Sequence, residues 1–578
     1  MIDVQARTEA PAVRSALIST SSLILPAVSV SYLLLVLCMW MPFGPSNGMP
    51  YETGFVYQSS TSTWWDAFFF GDPLRQFTNV FYQLSYLLGS ALTFPGDYLM
   101  YQLVYAALWW ARGLLAFLLV RRLLGGYDTF AYLVGAVVIV HASDGALNWV
   151  GQLNQYGFIF WMLLSFLCLL SAFDASRAGK RVLQTTLACL FAYLSLWSYE
   201  SQILLIAIFP LTLFAFRPGL TRSRFAMCAA YWTVPAAYAV LNFVRYTTQS
   251  TTYQQSVMRG DLSLWSLGAD LLFNARASVQ FWTWPRPMPA EVAGAVPAAM
   301  VGAAVLVVVA GYLVVRHQVR SGEVDGRIGM PPVGRLAVVF GVGLLLLALS
   351  FPVYLLLNTS RMLWRTQFLS GFGAALVVCS AAALVSARPR RARLGEIVPL
   401  LVVACATGFG VWEAYEAGWA HHRDWERHRV ALEQVLRVAP SVRPDTLIVL
   451  IDVPEPIDPF GDNMWFDMGV RLAYPGTSVA GAYYRENARR SPGDGLELIE
   501  DRWIWTGVGY PPMMRSIPFA NTIIIRYDAR GNGTLLDEVP PFLTTSPAVK
   551  ALYAPRTLLA GESPDRSAAR RFMRASGG

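Results

Sequence analysis

Between Asn47 and Gly89 the chain reads NGMPYETGFVYQSSTSTWWDAFFFGDPLRQFTNVFYQLSYLLG, a stretch dense in residues that can do chemistry. It holds a lone acid after an aromatic (Tyr51-Glu52), a Trp64-Trp65-Asp66 group, a second acid at Asp72 and a base at Arg75, interleaved with aromatic residues rather than with solvating Lys and Glu. Such a mixture suits a site at a membrane surface. Further on, TSRMLWRTQFLSGFG carries Arg361 and Arg365 four residues apart, on one face if the segment is helical. Two readings stand side by side: the arginines snorkel to the membrane surface, or their guanidinium forks grip a lipid phosphate or pyrophosphate. Glu200, in the short LWSYESQ connection, falls at the membrane surface or just within it. An acid there is costly unless paired or facing water, which makes it either a functional residue or one end of a structural hydrogen bond.

The elements that position these residues are membrane spans. The 578 residues are 55% hydrophobic and 14% charged, with a mean hydropathy of +0.42, outside the range of soluble globular proteins. Windows of roughly 17–25 apolar residues predict about eleven transmembrane helices, near 17–41, 98–120, 128–140, 153–173, 182–198, 201–216, 225–244, 291–315, 336–358, 367–386 and 397–419, the third of them short. The expected fold is therefore a polytopic α-helical membrane protein, with a cytoplasmic tail at 1–16, a transmembrane domain over 17–425 and external loops at 42–97 and 245–290. The first span is too long for a signal peptide and lacks a small-residue cleavage pattern, so it is expected to be an uncleaved anchor.

Five short connections hold most of the basic charge of this part: Arg121 and Arg122; Arg177, Lys180 and Arg181; Arg217, Arg222 and Arg224; Arg316, Arg320, Arg327 and Arg335; Arg388, Arg390, Arg391 and Arg393. The positive-inside rule makes these cytoplasmic, the N-terminus inside and the C-terminal part outside. The net charge of +8 follows from topology and needs no nucleic-acid partner. All six cysteines lie in expected spans, so no disulfide framework is implied.

His141 begins the turn HASDGALNWVGQLNQYG after the third span. In the 245–290 loop, Leu262 to Phe281 reads as a helix lying in the interface plane. After the last span, EAGWAHHRDWERHRVALEQVL reads as a charged amphipathic helix with His421, His422 and His428 on a solvated face rather than as metal ligands. From 426 to 578 a small α/β extracytoplasmic domain is expected, with strands in DTLIVLIDV and NTIIIRY and a helix in FGDNMWFDMGVRLAY. It shows no nucleophile elbow, P-loop or metal cluster, and is expected to bind or position an acceptor rather than to catalyse.

Taken in order, these landmarks resemble the GT-C superfamily of polytopic glycosyltransferases, above all the protein O-mannosyltransferases and their tetratricopeptide-repeat relatives. The carriers are Tyr51-Glu52-Thr53, Trp65-Asp66-Ala67-Phe68, Leu74-Arg75-Gln76-Phe77-Thr78, His141, Tyr199-Glu200 and Arg361-Met362-Leu363-Trp364. The chain departs from that pattern in having one acid at Glu52 instead of two, Gln76 for a Pro, Tyr199 for a Lys, and no C-terminal repeats. The resemblance implies transfer of a sugar from a polyprenyl-phosphate carrier to a glycan, lipid or protein acceptor, outside the cytoplasmic (inner) membrane of a bacterium. It implies Glu52 as the base, with Asp66 second, Arg361 with Arg365 as the grip on the carrier phosphate, and Arg75, His141 and Glu200 as residues that set loop position or touch the sugar. No cofactor is specified, and a divalent metal ion is compatible with the pattern. A polysaccharide polymerase or ligase, or a non-catalytic transporter or scaffold of the cell envelope, would share the many spans and large external loops.

Overall fold

The computed structural model describes residues 21–48, 72–92, 98–141, 153–248, 258–260, 262–285, 288, 292–321, 329–357, 368–387, 394–452, 463–474, 478–484, 495–507, 513–544 and 546–560. Helices occupy the positions of the eleven expected spans: α1 Ser21–Trp40, α3 Leu99–Leu124, α4 Asp128–Val140, α5 Leu153–Phe173, α6 Ala178–Leu196, α7 Ile203–Phe216, α8 Arg222–Thr248, α10 Ala295–Arg320, α11 Val333–Leu349, α12 Gly371–Ser386 and α13 Leu394–Val438. Two more, α2 Val80–Ala91 and α9 Leu264–Val279, sit in what the sequence marks as loops. Among the described residues, seven helices are long and apolar enough to cross a membrane, and α1, α4 and α7 supply shorter apolar ones. The chain is a polytopic helical protein.

The connection after α1 packs on α13, where Asn47 Nδ2 donates to the Gly418 carbonyl at 3.4 Å and the Asn47 carboxamide oxygen lies 3.1 Å from His422 Nδ1. That end of the bundle, the one continuous with the C-terminal domain, is called the domain end here. The opposite end carries the arginine-rich connections. There Arg217 donates to the carbonyls of Arg122 (2.7 Å) and Leu123 (3.0 Å), and Arg335 to that of Leu124 (3.1 Å). These are the last carbonyls of α3, which have no partner within their own helix.

Helix α4 is the bundle's centre: each of its 13 residues is buried. At roughly 20 Å it is shorter than a bilayer core of about 30 Å, so its C-terminal end lies within the protein at membrane depth. Helix α13 passes so close that a side chain at Gly410 would meet the Val140 carbonyl oxygen at 2.1 Å. Small residues at such crossings let backbones approach where lipid offers no hydrophobic drive.

The 45 residues of α13 span roughly 67 Å at 1.5 Å per residue, about twice the bilayer core. The outer part of this helix is one layer of the C-terminal domain. Its main sheet has the order β2-β1-β6-β7, built from β1 Leu447–Ile451, β2 Ala480–Tyr484, β6 Thr522–Tyr527 and β7 Gly533–Leu535. Strand β1 runs parallel to β2 and β6, and β7 is antiparallel to β6. Leu432 and Val435 of α13, with Phe466 and Val470 of α14 (Asn463–Ala473), cover one face through Ile448, Leu450, Ile523 and Ile525. An antiparallel sheet of β3 Gly495–Ile499, β4 Arg502–Gly507 and β5 Met513–Pro518 covers the other, where Trp503 and Phe519 pack against Leu447, Val449, Ile451 and Ile524. Burial on both faces is why β1 and β6 read as unbroken apolar runs.

One expectation is corrected by this layering. His428 is not on a solvated face: it is fully buried and stacks on Trp425 with ring centroids 5.9 Å apart, because the helix continues under the sheet.

The α4–α13 crossing yields a paired prediction. Gly410→Val should sharply lower the yield of monodisperse protein, since backbone has to move; overpacking of this kind typically costs about 1–3 kcal/mol or more. Gly179→Ala, where an added Cβ meets nothing, should raise stability by about 0.5–1 kcal/mol. Size-exclusion yield and thermal midpoint in detergent read both.

Candidate functional site

The sequence-expected site residues fall into three sets. Glu52, Asp66, Arg361 and Arg365 lie outside the described residues. Arg75 and Glu200 are brought together. His141 stands apart from them at a second locus.

At the first locus the 72–79 turn docks on the α6–α7 connection. Phe77 N–H donates to the Trp197 carbonyl at 3.1 Å and Thr78 Oγ1 to the Ser198 carbonyl at 2.8 Å. Asp72 Oδ1 accepts from the Leu74 N–H at 2.9 Å, which closes the turn. The connection is locked in its turn by Gln202, whose Nε2 donates to the carbonyls of Ser195 and Tyr199, both at 2.8 Å.

On this frame four charges alternate in sign. Arg245, in the last turn of α8, meets Asp72 Oδ1 at 2.6 Å; Arg75 meets Glu200 Oε1 at 2.5 Å and lies over the Tyr199 ring at 4.9 Å. Burial works against the Arg75 charge, but the Glu200 carboxylate and Tyr199 more than offset it, so this guanidinium holds its proton more tightly than a free one. Glu200 Oε2 is buried without a hydrogen bond, leaving that oxygen's capacity unused. The set is neutral overall, which keeps four charges near the membrane surface inexpensive.

His141 follows the last residue of α4 and is buried. Its Nε2 lies 3.0 Å from the Ser278 carbonyl; a carbonyl only accepts, so the proton sits on Nε2. Trp284 packs edge-on against it at 5.0 Å, and the Ser278 and Ser370 hydroxyls are bonded at 2.8 Å.

Beneath His141 lies a residue that the sequence reading passed over. Arg112, on α3, is buried; it donates to the Val138 carbonyl at 2.7 Å and lies over the rings of Tyr156 (5.0 Å) and Phe368 (5.5 Å). Trp109 Nε1 donates to the neighbouring Ile139 carbonyl at 2.9 Å. The two residues thus cap the end of α4. The signal in the sequence was a lone arginine inside an apolar span, which membrane energetics make a functional candidate by default.

The two loci meet at the first two turns of α5. Tyr156 faces Arg112, while Phe158 stacks on Tyr199 at 5.5 Å, the ring beneath Arg75.

Helix α9 completes this end. It buries Asp270, Asn274 and Ser278, one turn apart, and exposes Leu264, Trp265 and Leu272. Polar stripe inward and apolar face outward is the arrangement of a helix lying at a lipid interface, with Arg259 bound to Asp270 at 2.6 Å. No group of three or more His, Cys, Asp or Glu residues able to hold a metal ion occurs among the described residues.

Fold and site together define a polytopic membrane protein with charged and polar clusters gathered at the end that carries an α/β domain. Among solved structures, the chain is similar to ArnT from Cupriavidus metallidurans bound to undecaprenyl phosphate, at 14% identity over 75% of this chain and 82% of that one (TM-score 0.33). It is similar also to the arabinofuranosyltransferase AftD from Mycobacteria, at 14% identity over 74% of this chain and 29% of that one (TM-score 0.37). No family model matches the chain, and no curated protein matches it in sequence.

The Arg75–Glu200 pair is open to a double-mutant cycle. Arg75→Ala should cost about 1.5–3 kcal/mol, the range for a hydrogen bond to a charged group, and adding Glu200→Gln should cost less than its single effect. Arg75→Lys should rescue little, because the fork and the stacking are both lost. Unfolding in detergent by increasing SDS measures all four proteins, and strict additivity would mean that the pair contributes nothing.

Proposed function

We propose that the chain is a glycosyltransferase of the GT-C type, moving a sugar from a polyprenyl-phosphate carrier to an acceptor on the extracytoplasmic face of the membrane. The observation that carries the reading is the Arg75–Glu200 contact. It joins two positions of the motif series, 125 residues apart in sequence, in one partly buried ion pair.

In this reading an acceptor hydroxyl oxygen attacks the anomeric carbon while the bond from that carbon to the carrier phosphate breaks. The hydroxyl proton passes to Glu52, with Asp66 as the second choice of base. The carrier departs as a lipid phosphate, whose growing negative charge needs fixed donors; Arg361, backed by Arg365, supplies them as charge-assisted hydrogen bonds. Arg75 and Glu200 act through loop position: the turn they hold leads back to Asp66, and the turn's partner connection carries no other fixed charge than Glu200. His141, held neutral in its role as a donor to Ser278, shapes the neighbouring wall. Arginine-rich connections at the end opposite the domain set the direction: those face the cytoplasm, and residues 421–578 lie outside.

Mutants of the proposed base and phosphate grip should fail differently. Glu52→Gln should insert and fold normally and lose transfer by at least about a hundredfold, at the low end of what a general base contributes. Arg361→Ala should weaken binding of a polyprenyl-phosphate sugar. Transfer and donor binding measured in nanodiscs, with Asp66→Asn alongside, decide it: full activity in Glu52→Gln with loss in Asp66→Asn moves the base to Asp66, and full activity in both removes the mechanism. For topology, a reporter fused after Leu450 should be active only outside the cytoplasm; activity inside would overturn the orientation.

A further inference from the structure

The membrane part holds an apolar slot that the proposed transfer reaction does not use. It runs along two turns of α7, from Phe209 to Phe216, and two of α11, from Val339 to Leu346, with Leu124 of α3 and Leu376 of α12 in its inner wall. Its empty volume is about 330 Å³ up to its open side. Helices α3 and α12 are largely buried, whereas α7 and α11 expose Leu211, Leu344 and Leu345, so the slot lies between two outer helices that face lipid. The one polar side chain in its lining, Thr212, donates its hydroxyl to the Phe209 carbonyl at 2.7 Å. What remains is an apolar surface roughly 10 Å long, about a third of the depth of a bilayer core.

At the arginine-rich end of the bundle the slot finishes among three guanidinium groups. Arg217 follows Phe216 directly, Arg122 precedes Leu124 by two residues, and Arg335 stands one helical turn before Val339. Arg217 donates to the Leu123 carbonyl at 3.0 Å and Arg335 to the Leu124 carbonyl at 3.1 Å, so cations from two different elements converge on successive carbonyls of α3. Arg122 and Arg217 share one carboxylate, Asp174, at 3.2 and 3.0 Å. Arg335 is exposed and, among the described residues, pairs with no carboxylate. Three arginines against one aspartate leave a surplus of positive charge, and of the five N–H donors on Arg335 the Leu124 carbonyl takes one. The positive-inside rule accounts for arginines at this end. It does not account for their convergence at the mouth of an apolar slot.

We propose that this is a binding site for an anionic phospholipid of the leaflet at the arginine-rich end, with its phosphate held by Arg335 and Arg217 and one acyl chain laid in the slot. Guanidinium forks match phosphate oxygens, and basic pockets between membrane helices suit anionic headgroups. The methylenes of a chain gain dispersion contacts with the lining, and the slot's length takes the first part of the chain while the remainder stays in the bilayer. Free phosphate would use the arginines and leave the slot empty; a neutral lipid would fill the slot and leave the charge unmet. A phospholipid satisfies both. The site is at the opposite end of the bundle from the proposed transfer reaction, so it is distinct from a donor site there. A lipid seated in it touches α3, α7 and α11 together and should hold them in place.

The test uses the full chain in detergent, with first-lipid binding read by native mass spectrometry and the thermal midpoint read alongside. The probes are dioleoyl phosphatidylglycerol, dioleoyl phosphatidylcholine, dihexanoyl phosphatidylglycerol, inorganic phosphate and undecaprenyl phosphate. Wild type should bind dioleoyl phosphatidylglycerol most tightly and gain thermal stability from it. Arg335→Gln, which keeps an amide donor for the Leu124 carbonyl and removes the charge, should weaken that binding by about tenfold, the loss of a hydrogen bond to a charged group. Val342→Phe, which fills the slot, should weaken dioleoyl phosphatidylglycerol and leave the dihexanoyl lipid unaffected. Both variants should keep the lipid-free thermal midpoint of wild type. Equal binding of phosphatidylcholine, equal stabilisation by inorganic phosphate or the dihexanoyl lipid, or unchanged binding in both variants overturns the site. Preference for undecaprenyl phosphate that is lost in Arg335→Gln also overturns it, since the slot would then belong to a carrier lipid.

Discussion

The domain end of the bundle depends on how the short helix α4 finishes. Its last carbonyls are at membrane depth, where no water can take their hydrogen bonds and each unmet group costs several kcal/mol. Arg112 and Trp109 reach across from α3 to meet them. A cation suits that place for a second reason, because the C-terminal end of a helix carries about half a negative charge. Tyr156 and Phe368, packed edge to face with ring centroids 4.5 Å apart, both lie against the guanidinium, so one buried arginine fixes the end of α4, the start of α5 and the approach to α12. His141 takes its place as the first residue beyond this cap.

The ion pairs around Arg75 solve a related problem with a different device. Charges near the membrane surface are tolerated when they neutralise one another at short range and leave little field outside. Asp72 and Glu200 each have an arginine from a different element, α8 and the 72–79 turn. Neither pair is needed to form a helix; each instead fixes where a connection lies relative to the bundle. That places them among residues that set geometry, with a stability cost that is paid in partly buried hydrogen bonds rather than in core packing.

Much of this architecture is legible in the sequence because a bilayer imposes one length scale on every span. Even α4, which the sequence marks as short, begins and ends where expected. The helices inside loops, α2 and α9, differ in legibility for a physical reason: α9 shows a polar stripe at one-turn spacing, whereas VFYQLSYLLGSA has the texture of a span too short to cross. Strands β1 and β6 announce themselves as β-branched runs; β2, AGAYY, does not, since it is made a strand by pairing with β1 rather than by its own propensity. The Arg75–Glu200 contact joins residues that the sequence marks separately, and nothing local in either segment specifies the other. Arg112 was legible in principle, since an arginine within an apolar span is itself the signal. His428 was not, because its burial depends on a sheet that begins nineteen residues later, at Leu447.

Helix α13 ties these parts into one mechanical unit. A hinge between membrane and outer domain would ordinarily lie in an exposed linker of few contacts, but here the peptide backbone passes from one to the other within a single helix. Asn47 is held to that helix through Gly418 and His422, and α14 and β7 are held to it through Leu432 and Arg437. The start of the loop bearing Glu52 and the main sheet are therefore referred to the same rigid element. Bending of a continuous helix is gentle unless Pro, Gly pairs or a bulge intervenes; in α13, Pro399 lies in the first turns at the far end, and Gly408 and Gly410 lie at the crossing with α4, all before the helix leaves the bundle. The positions of α13 most open to kinking therefore fall within the bundle, and the stretch that joins the bundle to the sheet is uninterrupted helix.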